Sequence, residues 1–178
     1  MKVFNFEEQI KVGNIGEQYF LTKYPDFKKV GTGCEIVDFK NVKNGITVEL
    51  KSDSYSVFDT PNLFIETISN DRKKTKGGPF RGEHTIDFYV YYFIQNDIAF
   101  WYRTAELCNK LRKLRETITI GDATIAIKNN GYNTLGRKVK RLDVGDVCIK
   151  IEKFKNRVSR FVNDDTYLKV YQSLVDLE

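Results

Sequence analysis

The sequence predicts an α/β or α+β domain built around a mixed β-sheet, and three observations carry that prediction. An apolar repeat of helical period opens the chain, short runs rich in β-branched and aromatic residues follow it, and helical periodicity returns in the second half. A chain of 178 residues fits one domain with a sizeable core. We therefore assign residues 1–178 to a single domain, with its core at about 5–116 and a C-terminal β/α elaboration at about 117–178.

The predicted elements follow one another along the chain. The first helix spans 5–24, and residues at spacings of three and four define one of its faces: Ile10, Gly13, Glu17, Phe20 and Tyr24. Five strand candidates come next, at 34–39, 45–51, 62–68, 86–94 and 98–103. Thr104 is the expected N-cap of a helix at 105–116. The remainder is predicted as strands at 117–128 and 144–152, joined by a Gly- and Lys-rich loop (KNNGYNTLGRKVKR), and a closing helix at 165–176.

Composition excludes several classes of protein. Hydrophobic residues make up 41% and aromatic residues 13% of the chain, which is typical of a globular protein and not of a disordered one. No apolar run approaches the ~18 residues of a membrane span. The N-terminal segment turns acidic too early for a secretory signal, so we expect a cytoplasmic protein with no membrane partner.

Cysteine and histidine usage restricts the metal chemistry. The 3 cysteines lie far apart, without a CxxC motif, and His84 is the single histidine, so neither a zinc site nor a disulfide framework is predicted. Any metal would have to be held by carboxylates, which favour hard cations such as Mg²⁺ or Mn²⁺.

Basic residues are more concentrated than the net charge of +5 implies. Two clusters are candidates for contact with the phosphate backbone of DNA, and they consist of Arg72, Lys73, Lys74, Lys76 and Arg81, and of Arg137, Lys138, Lys140 and Arg141. A third basic run lies within 150–160. The alternative is that these charges occupy solvated loops and helix faces without a polyanionic partner.

The stretch ITVELKSD places an acid and a lysine two positions apart in an otherwise apolar run. If 45–51 is a strand, Glu49 and Lys51 project from one face, and Val48 and Leu50 project from the other. Such a face suits a carboxylate that binds a metal and an ammonium that acts on a neighbouring water or phosphate. The same acid-x-Lys spacing occurs elsewhere in the chain, so the triplet carries weight only together with other acids around it.

Asp38 is the first of these other acids. It ends the preceding strand candidate, and the Asn44–Gly45 pair predicts a hairpin that sets Asp38 beside Glu49. Two carboxylates held so close repel each other, and a divalent cation relieves that repulsion. The alternative is an ordinary strand-end residue that enters a turn.

Glu17 and Glu66 are two further acids in apolar surroundings, where an unpaired charge is costly to bury. Glu17 lies on the face of the first helix that should pack on the sheet, where either Lys51 or a metal-bound water would be its partner, or it reaches solvent at the edge of that face. Glu66 either belongs to the site or pairs with a cation of the loop at 72–81.

The segments GNIGEQYF, EIVDF and ITVELKSD resemble the core of the PD-(D/E)XK nuclease superfamily, to which Holliday junction resolvases and many restriction and phage nucleases belong. The segments TPNLFIETIS and IDFYVYYF are similar to those of small phage-type members, and the likeness covers about residues 13–103. It departs from the family pattern where Val37 precedes Asp38 in place of proline, and where FRGEHTID lacks the expected small-residue loop before Asp87. The resemblance implies a restriction-endonuclease-like fold, a mixed central sheet flanked by helices.

The resemblance also implies a role for each acid. Asp38 and Glu49, with the backbone carbonyl of Leu50, would bind one or two Mg²⁺ or Mn²⁺ ions, and Lys51 would be the catalytic lysine. Glu17 would be an auxiliary catalytic acid and Glu66 a further auxiliary candidate. The expected activity is metal-dependent hydrolysis of DNA, structure-selective or without sequence specificity, as in phage or mobile-element DNA processing. A catalytically inactive module on the same fold, binding nucleic acid or protein, and a homodimeric Holliday junction resolvase are the alternatives.

Overall fold

Two helices and eleven strands make up the regular structure of the residues described. The structure, a computed structural model, describes residues 6–30, 37–117, 125–128, 131–155 and 159–161, together with 169, 171 and 172. The helices are α1 (Phe6–Lys23) and α2 (Thr104–Thr117). The strands are β1 (Phe27–Lys29), β2 (Phe39–Asn41), β3 (Thr47–Asp53), β4 (Asn62–Asn70), β5 (Thr75–Lys76), β6 (Phe88–Phe93), β7 (Ile98–Arg103), β8 (Ile125–Lys128), β9 (Asn133–Lys140), β10 (Cys148–Glu152) and β11 (Ser159–Phe161). Short 3-10 helices lie at Gly78–Phe80 and Arg141–Val147.

A seven-stranded mixed sheet is the centre of the fold, with the strand order β1-β2-β3-β6-β7-β10-β11. Strands β3 and β6 are parallel, whereas the other neighbours pair antiparallel. Helix α1 packs on one face of this sheet. Helix α2 packs on the other face, together with a second, antiparallel sheet of order β5-β4-β9-β8. The predicted mixed α/β fold, a mixed sheet flanked by helices, is confirmed at this level.

Helix α1 is held on the sheet by an aromatic cluster and by a close approach at a glycine. Phe20 is fully buried and stacks on Phe39 with 4.6 Å between the ring centroids, and Trp101 lies at 6.1 Å. One turn earlier, a Cβ atom on Gly16 would lie 1.9 Å from Oγ of Ser52 on β3. The missing side chain at Gly16 therefore sets how closely α1 approaches the strand that carries Glu49.

Two glycines of α1 should respond to alanine in opposite ways. At Gly16 the overlap with Ser52 should outweigh the gain in helix propensity, so Gly16→Ala is expected to lower the free energy of unfolding by about 1–2 kcal/mol. At Gly13, which the sequence pattern assigns to the packed face, a methyl group meets no atom within 4 Å. Gly13→Ala should therefore raise the free energy of unfolding by about 0.5–1 kcal/mol. Urea unfolding measures both values, and equal effects of the two changes would contradict the docking of α1 through Gly16.

Strand β6 alternates between two cores. Tyr89, Tyr91 and Phe93 lie in the core shared with α2 and the second sheet, whereas Val90 and Tyr92 lie in the core beneath α1. All five side chains are buried because the sheet is covered on both faces, which also explains the nearly continuous aromatic run in the sequence.

The segment predicted as a Gly- and Lys-rich loop is largely a strand, and that prediction is wrong. Residues Asn133–Lys140 form β9, which pairs with β4 and β8. Burial alternates along the basic end of this strand with a period of two, since Val139 is buried while Lys138 and Lys140 are exposed. The glycine at 136 and the three basic residues at 137, 138 and 140 made the strand resemble a polar loop.

Part of the predicted basic surface is buried. Arg141 is only 9% exposed, donates a hydrogen bond from Nη2 to the carbonyl oxygen of Val57, and lies 5.3 Å from the ring centroid of Phe93. Lys153 of the third basic run is buried as well. Arg141 therefore ties the loop at Val57 to the core and does not belong to the exposed basic set.

Some predicted features fall outside the described residues, namely Cys34 with the first half of the strand at 34–39, residues 118–124 of the strand at 117–128, and most of the closing helix, of which 169, 171 and 172 are described and helical. Cys108 and Cys148 are buried free thiols. In the described part of the chain, no helix combines the length and apolarity that crossing a bilayer requires.

Candidate active site

Strand β3 presents Glu49 and Lys51 on the face of the seven-stranded sheet that α1 does not cover. Val48 and Leu50 pack in the core beneath α1, so the alternation of the strand turns Glu49 and Lys51 to the opposite side. The parallel register with β6 sets Glu49 beside the buried Tyr89.

The hairpin of β2 and β3 brings Asp38 to the same strand. Phe39 pairs with Val48, and Gly45 lies in the turn with a φ of +77°, a conformation that glycine adopts at no steric cost. Oδ2 of Asp38 accepts a hydrogen bond of 2.8 Å from the backbone N–H of Leu50. Because the N–H and C=O of one strand residue point to the same edge, the carbonyl of Leu50 is directed to the side of β3 on which Asp38 lies.

Burial and neighbouring negative charges raise the pKa of both carboxyl groups. The pKa of Asp38 rises to about 6, chiefly because burial disfavours the charged form; the hydrogen bond from Leu50 opposes the rise and the charge of Glu17 adds to it. Burial also raises the pKa of Glu49 well above its usual range, and the charges of Asp38 and Glu66 raise it further. Acids in this arrangement are stabilised by a cation placed among them.

Lys51 is bound by Glu66, an acid from the second sheet. Its Nζ lies 3.0 Å from Oε1 of Glu66, and the two side chains are 34% and 24% exposed. The partner of Glu66 in this contact comes from β3 and not from the loop at 72–81. Lys51 is thus held in one orientation at the junction of the two sheets.

A pair of glycines brings Arg81 to the carboxylates. Gly78 has a φ of +49°, and a Cβ atom there would lie 2.7 Å from the carbonyl oxygen of Glu66, while one on Gly77 would lie 2.8 Å from the backbone nitrogen of Ser69. The 3-10 helix Gly78–Phe80 can therefore lie directly on β4. Arg81 caps this helix.

The charge of Arg81 opposes the rise in pKa of both Asp38 and Glu49. The sequence pattern predicted Arg81 only as a DNA contact, and its place beside the carboxylates is the functional feature that sequence reasoning missed. The signal for it is the sequence Gly77-Gly78-Pro79, which allows a tight approach to a neighbouring strand.

Glu17 lies at the rim of the site. Its Oε2 is 2.5 Å from Nζ of Lys29, and its charge acts on Asp38. Lys51 pairs with Glu66, so Lys51, one of the partners considered for Glu17, is not its partner here, and Glu17 pairs with Lys29.

Two other acids near the site have structural roles. Oδ2 of Asp87 accepts hydrogen bonds from the backbone N–H and the hydroxyl of Thr47, at 2.8 and 2.9 Å, and so fixes the start of β6 to the start of β3. Oδ2 of Asp53 accepts a hydrogen bond of 2.5 Å from the hydroxyl of Tyr91.

The donor set fits a hard cation that keeps most of its own water. Within the described ranges, no group of three or more His, Cys, Asp or Glu side chains is arranged to hold a metal ion by itself. The predicted donors are the carboxylates of Asp38 and Glu49 and the carbonyl of Leu50. Mg²⁺ is commonly held by one or two carboxylates, with waters and substrate phosphates completing its shell. The residues present therefore fit Mg²⁺ or Mn²⁺ bound together with a phosphate and do not fit a closed zinc site.

Most of the predicted DNA-contacting residues lie at the surface of the second sheet and its turns. Those exposed are Arg72, Lys73, Lys74, Lys76, Arg81, Lys138 and Lys140, and Arg137 is half-buried. Positive charge is thus distributed along the sheet that supplies Glu66.

The raised carboxyl pKa values predict a stability that falls as the pH rises. The pKa of Asp38 is about 6 in the folded protein against an ordinary value of 3.8. Between these values the folded chain binds more protons than the unfolded chain, so the free energy of unfolding falls with increasing pH. Glu49 shifts in the same direction. Glu49→Gln removes the contribution of this carboxyl group, so the variant should gain stability relative to wild type as the pH is raised above about 4.5.

Urea unfolding in EDTA across that range measures the difference, and Glu106→Gln, an exposed acid of α2, is the matched control. A difference between Glu49→Gln and wild type that does not change with pH would contradict the pKa assignment.

Comparison of the chain with protein-family models, with curated proteins and with solved structures finds no match, and it assigns no family.

Proposed function

We propose that this chain is a divalent-metal-dependent deoxyribonuclease of the PD-(D/E)XK type, with a restriction-endonuclease-like core. One observation carries the proposal: Asp38 and Glu49 lie together with raised pKa values, next to a lysine that Glu66 holds at 3.0 Å. Carboxyl groups with strongly raised pKa values, placed beside an oriented ammonium, are concentrated at catalytic sites. The expected reaction is hydrolysis of the phosphodiester bond, structure-selective or without sequence specificity.

Each residue of the site has a separate role in the proposed hydrolysis. Asp38, Glu49 and the carbonyl of Leu50 would bind Mg²⁺, which supplies an acidified water and neutralises charge on the scissile phosphate. Lys51 is positioned to orient the attacking water and to donate hydrogen bonds to the phosphate oxygens as negative charge develops. Arg81 adds a second positive charge on the same side.

DNA as the substrate is supported by the exposed cations on the second sheet. They would bind the phosphate backbone without reading bases, so affinity should fall steeply with salt. Because Lys138 and Lys140 lie on β9, next to the strand that carries Glu66, a backbone bound there leads towards the carboxylates.

A cleavage panel tests the proposal. Wild type is incubated with linear, circular, single-stranded and branched DNA, and with RNA, in Mg²⁺, Mn²⁺ or EDTA. Cleavage of at least one DNA form with either metal and none in EDTA is expected. No metal-dependent cleavage of any substrate would overturn the nuclease proposal.

A second candidate, a catalytically inactive binding module on the same fold, is favoured by one observation: no three-ligand acidic group occurs among the described residues. It predicts salt-sensitive DNA binding without cleavage in the same panel.

A further inference from the structure

The loop at 54–61 joins β3 to β4 and therefore connects the strands that carry Lys51 and Glu66. It leaves β3 only two residues beyond Lys51, about 7 Å along the strand. Two large side chains of this loop face solvent: Tyr55 is 42% and Phe58 is 52% exposed. Neither ring belongs to the two hydrophobic cores, so both rings are accessible to a ligand close to the proposed site.

The loop is fixed from both sides, so the two rings are held in place. Val57, between them, is 1% exposed, and its N–H donates a hydrogen bond of 2.8 Å to Oδ1 of Asn96. Its carbonyl accepts a hydrogen bond of 2.9 Å from Nη2 of the buried Arg141, whose own N–H donates to the carbonyl of Pro61 at 2.9 Å. Rings presented on an anchored loop lose little freedom on binding, which favours affinity.

Hydrogen bonds between residues two positions apart shape the turn at each ring. The N–H of Tyr55 donates to Oδ1 of Asp53 at 2.8 Å, and the N–H of Phe58 donates to Oγ of Ser56 at 3.2 Å. Asp53 is in turn bound by the hydroxyl of Tyr91. The position of the loop is therefore coupled to β6, the central strand beside β3.

Exposed lysines lie where the loop enters β4. Lys140 pairs with Asn62 and Lys138 with Phe64 in the ladder of β9 and β4. Aromatic rings next to cations are the combination that binds single-stranded nucleic acid, in which bases stack on the rings and phosphates meet the cations. A protein partner is less well matched, because lysine is depleted at protein–protein interfaces.

We propose that the loop at 54–61 is a nucleobase-binding element, in which Phe58 and Tyr55 stack on unpaired bases next to the scissile phosphate. This inference rests on the proposed nuclease function and specifies its substrate class. Bases inside a duplex are already stacked on each other and offer no free face to the rings, so the element selects single strands and junctions where a duplex opens.

Binding in EDTA, where no cleavage occurs, tests the element separately from catalysis. Fluorescence anisotropy is measured with a single-stranded oligonucleotide and with the blunt duplex of the same sequence. Phe58→Ala is expected to weaken single-strand binding about tenfold and to leave duplex binding within about twofold, because one base–aromatic stack is lost. Phe58→Tyr should retain single-strand affinity, and Tyr55→Ala should act in the same direction as Phe58→Ala.

Val42→Ala is the matched control, since Val42 is also a large exposed apolar residue, at 58%, but lies in the turn between β2 and β3. It should change neither affinity. Thermal unfolding of each variant confirms that the exposed substitution leaves the fold intact.

The outcomes separate the two proposals. Single-strand binding that depends on Phe58, without cleavage by wild type, supports the element and overturns the nuclease. If wild type cleaves DNA, but Phe58→Ala lowers the affinity for the single strand and the duplex equally or lowers neither, the element alone is overturned. If Phe58→Ala instead turns a dimer into a monomer with unchanged affinity for DNA, the rings form a protein contact and the element is wrong. If wild type cleaves DNA with metal but binds neither DNA form in EDTA, the element fails and the nuclease stands. If wild type neither binds nor cleaves DNA, both proposals fail.

Discussion

Glu49→Gln is expected to abolish metal-dependent cleavage and to leave the chain folded. The amide keeps the size of the side chain but loses the charge that would hold the cation. Because the charge stabilisation supplied by a metal ion is worth several kcal/mol, kcat should fall at least about 10³-fold. Burial and neighbouring acids make the charged carboxylate of Glu49 unfavourable in the folded chain without metal. The variant should therefore be as stable as wild type near neutral pH, or more stable.

That combination of lost activity with retained stability distinguishes a site residue from a structural one. Single-turnover cleavage at saturating Mg²⁺ and urea unfolding in EDTA measure the two quantities. Glu106→Gln changes the same functional group on the exposed side of α2 and should leave both unchanged. Retention of more than about a tenth of the activity by Glu49→Gln would remove Glu49 from the site.

Lys51→Ala is expected to lower kcat by about 10²- to 10⁴-fold, with only a small effect on DNA affinity. The lost ammonium would act on the water and phosphate in the transition state, whereas the exposed lysines and arginines supply ground-state binding. Lys51→Arg should not restore the rate, because a planar guanidinium cannot take the place of a compact ammonium held 3.0 Å from Oε1 of Glu66.

The contact with Glu66 gives this prediction a second test. Glu66→Gln should lower kcat less than Lys51→Ala does, and it should have no further effect in the Lys51→Ala background, because Glu66 positions the lysine. Lys43→Ala is the control, because Lys43 lies in the turn between β2 and β3 and its Nζ pairs with Oδ2 of Asp26 at 2.9 Å on the surface. Additive losses for Lys51 and Glu66 would show that the two act independently.

The parts of this site that the sequence predicts are those whose causes are local. The alternation of β3 depends only on successive residues, and it puts Glu49 and Lys51 on one face. The Asn44–Gly45 turn depends on the positive φ of one glycine, and it brings Asp38 to β3. Strand β7 has the predicted bounds, Ile98–Arg103, because this short aromatic run lies between a polar turn and the first residue of α2.

The parts that the sequence did not settle depend on how separate elements pack. Lys51 and Glu66 belong to different sheets, so their contact follows from the packing of one sheet on the other. The choice of Gly16 over Gly13 as the docking point of α1 depends on where Ser52 lies. The strand β9 was also not predicted from its alternation, because the charged residues of a surface strand resemble those of a loop.

Because β3 pairs in parallel with β6, the site is completed late in the synthesis and folding of the chain. Thr47 and Asp87, which fix the two strands to each other, are 40 positions apart, and β4 with Glu66 lies within the intervening segment. Contacts between such distant residues form slowly, because the entropy of closing the loop is lost before the contacts compensate for it. On a ribosome, Glu49 and Lys51 emerge well before β6. Until β6 emerges, β3 therefore lacks the neighbouring strand that fixes its position in the sheet. We therefore expect the proposed nuclease activity to appear only after synthesis of the chain has passed β6.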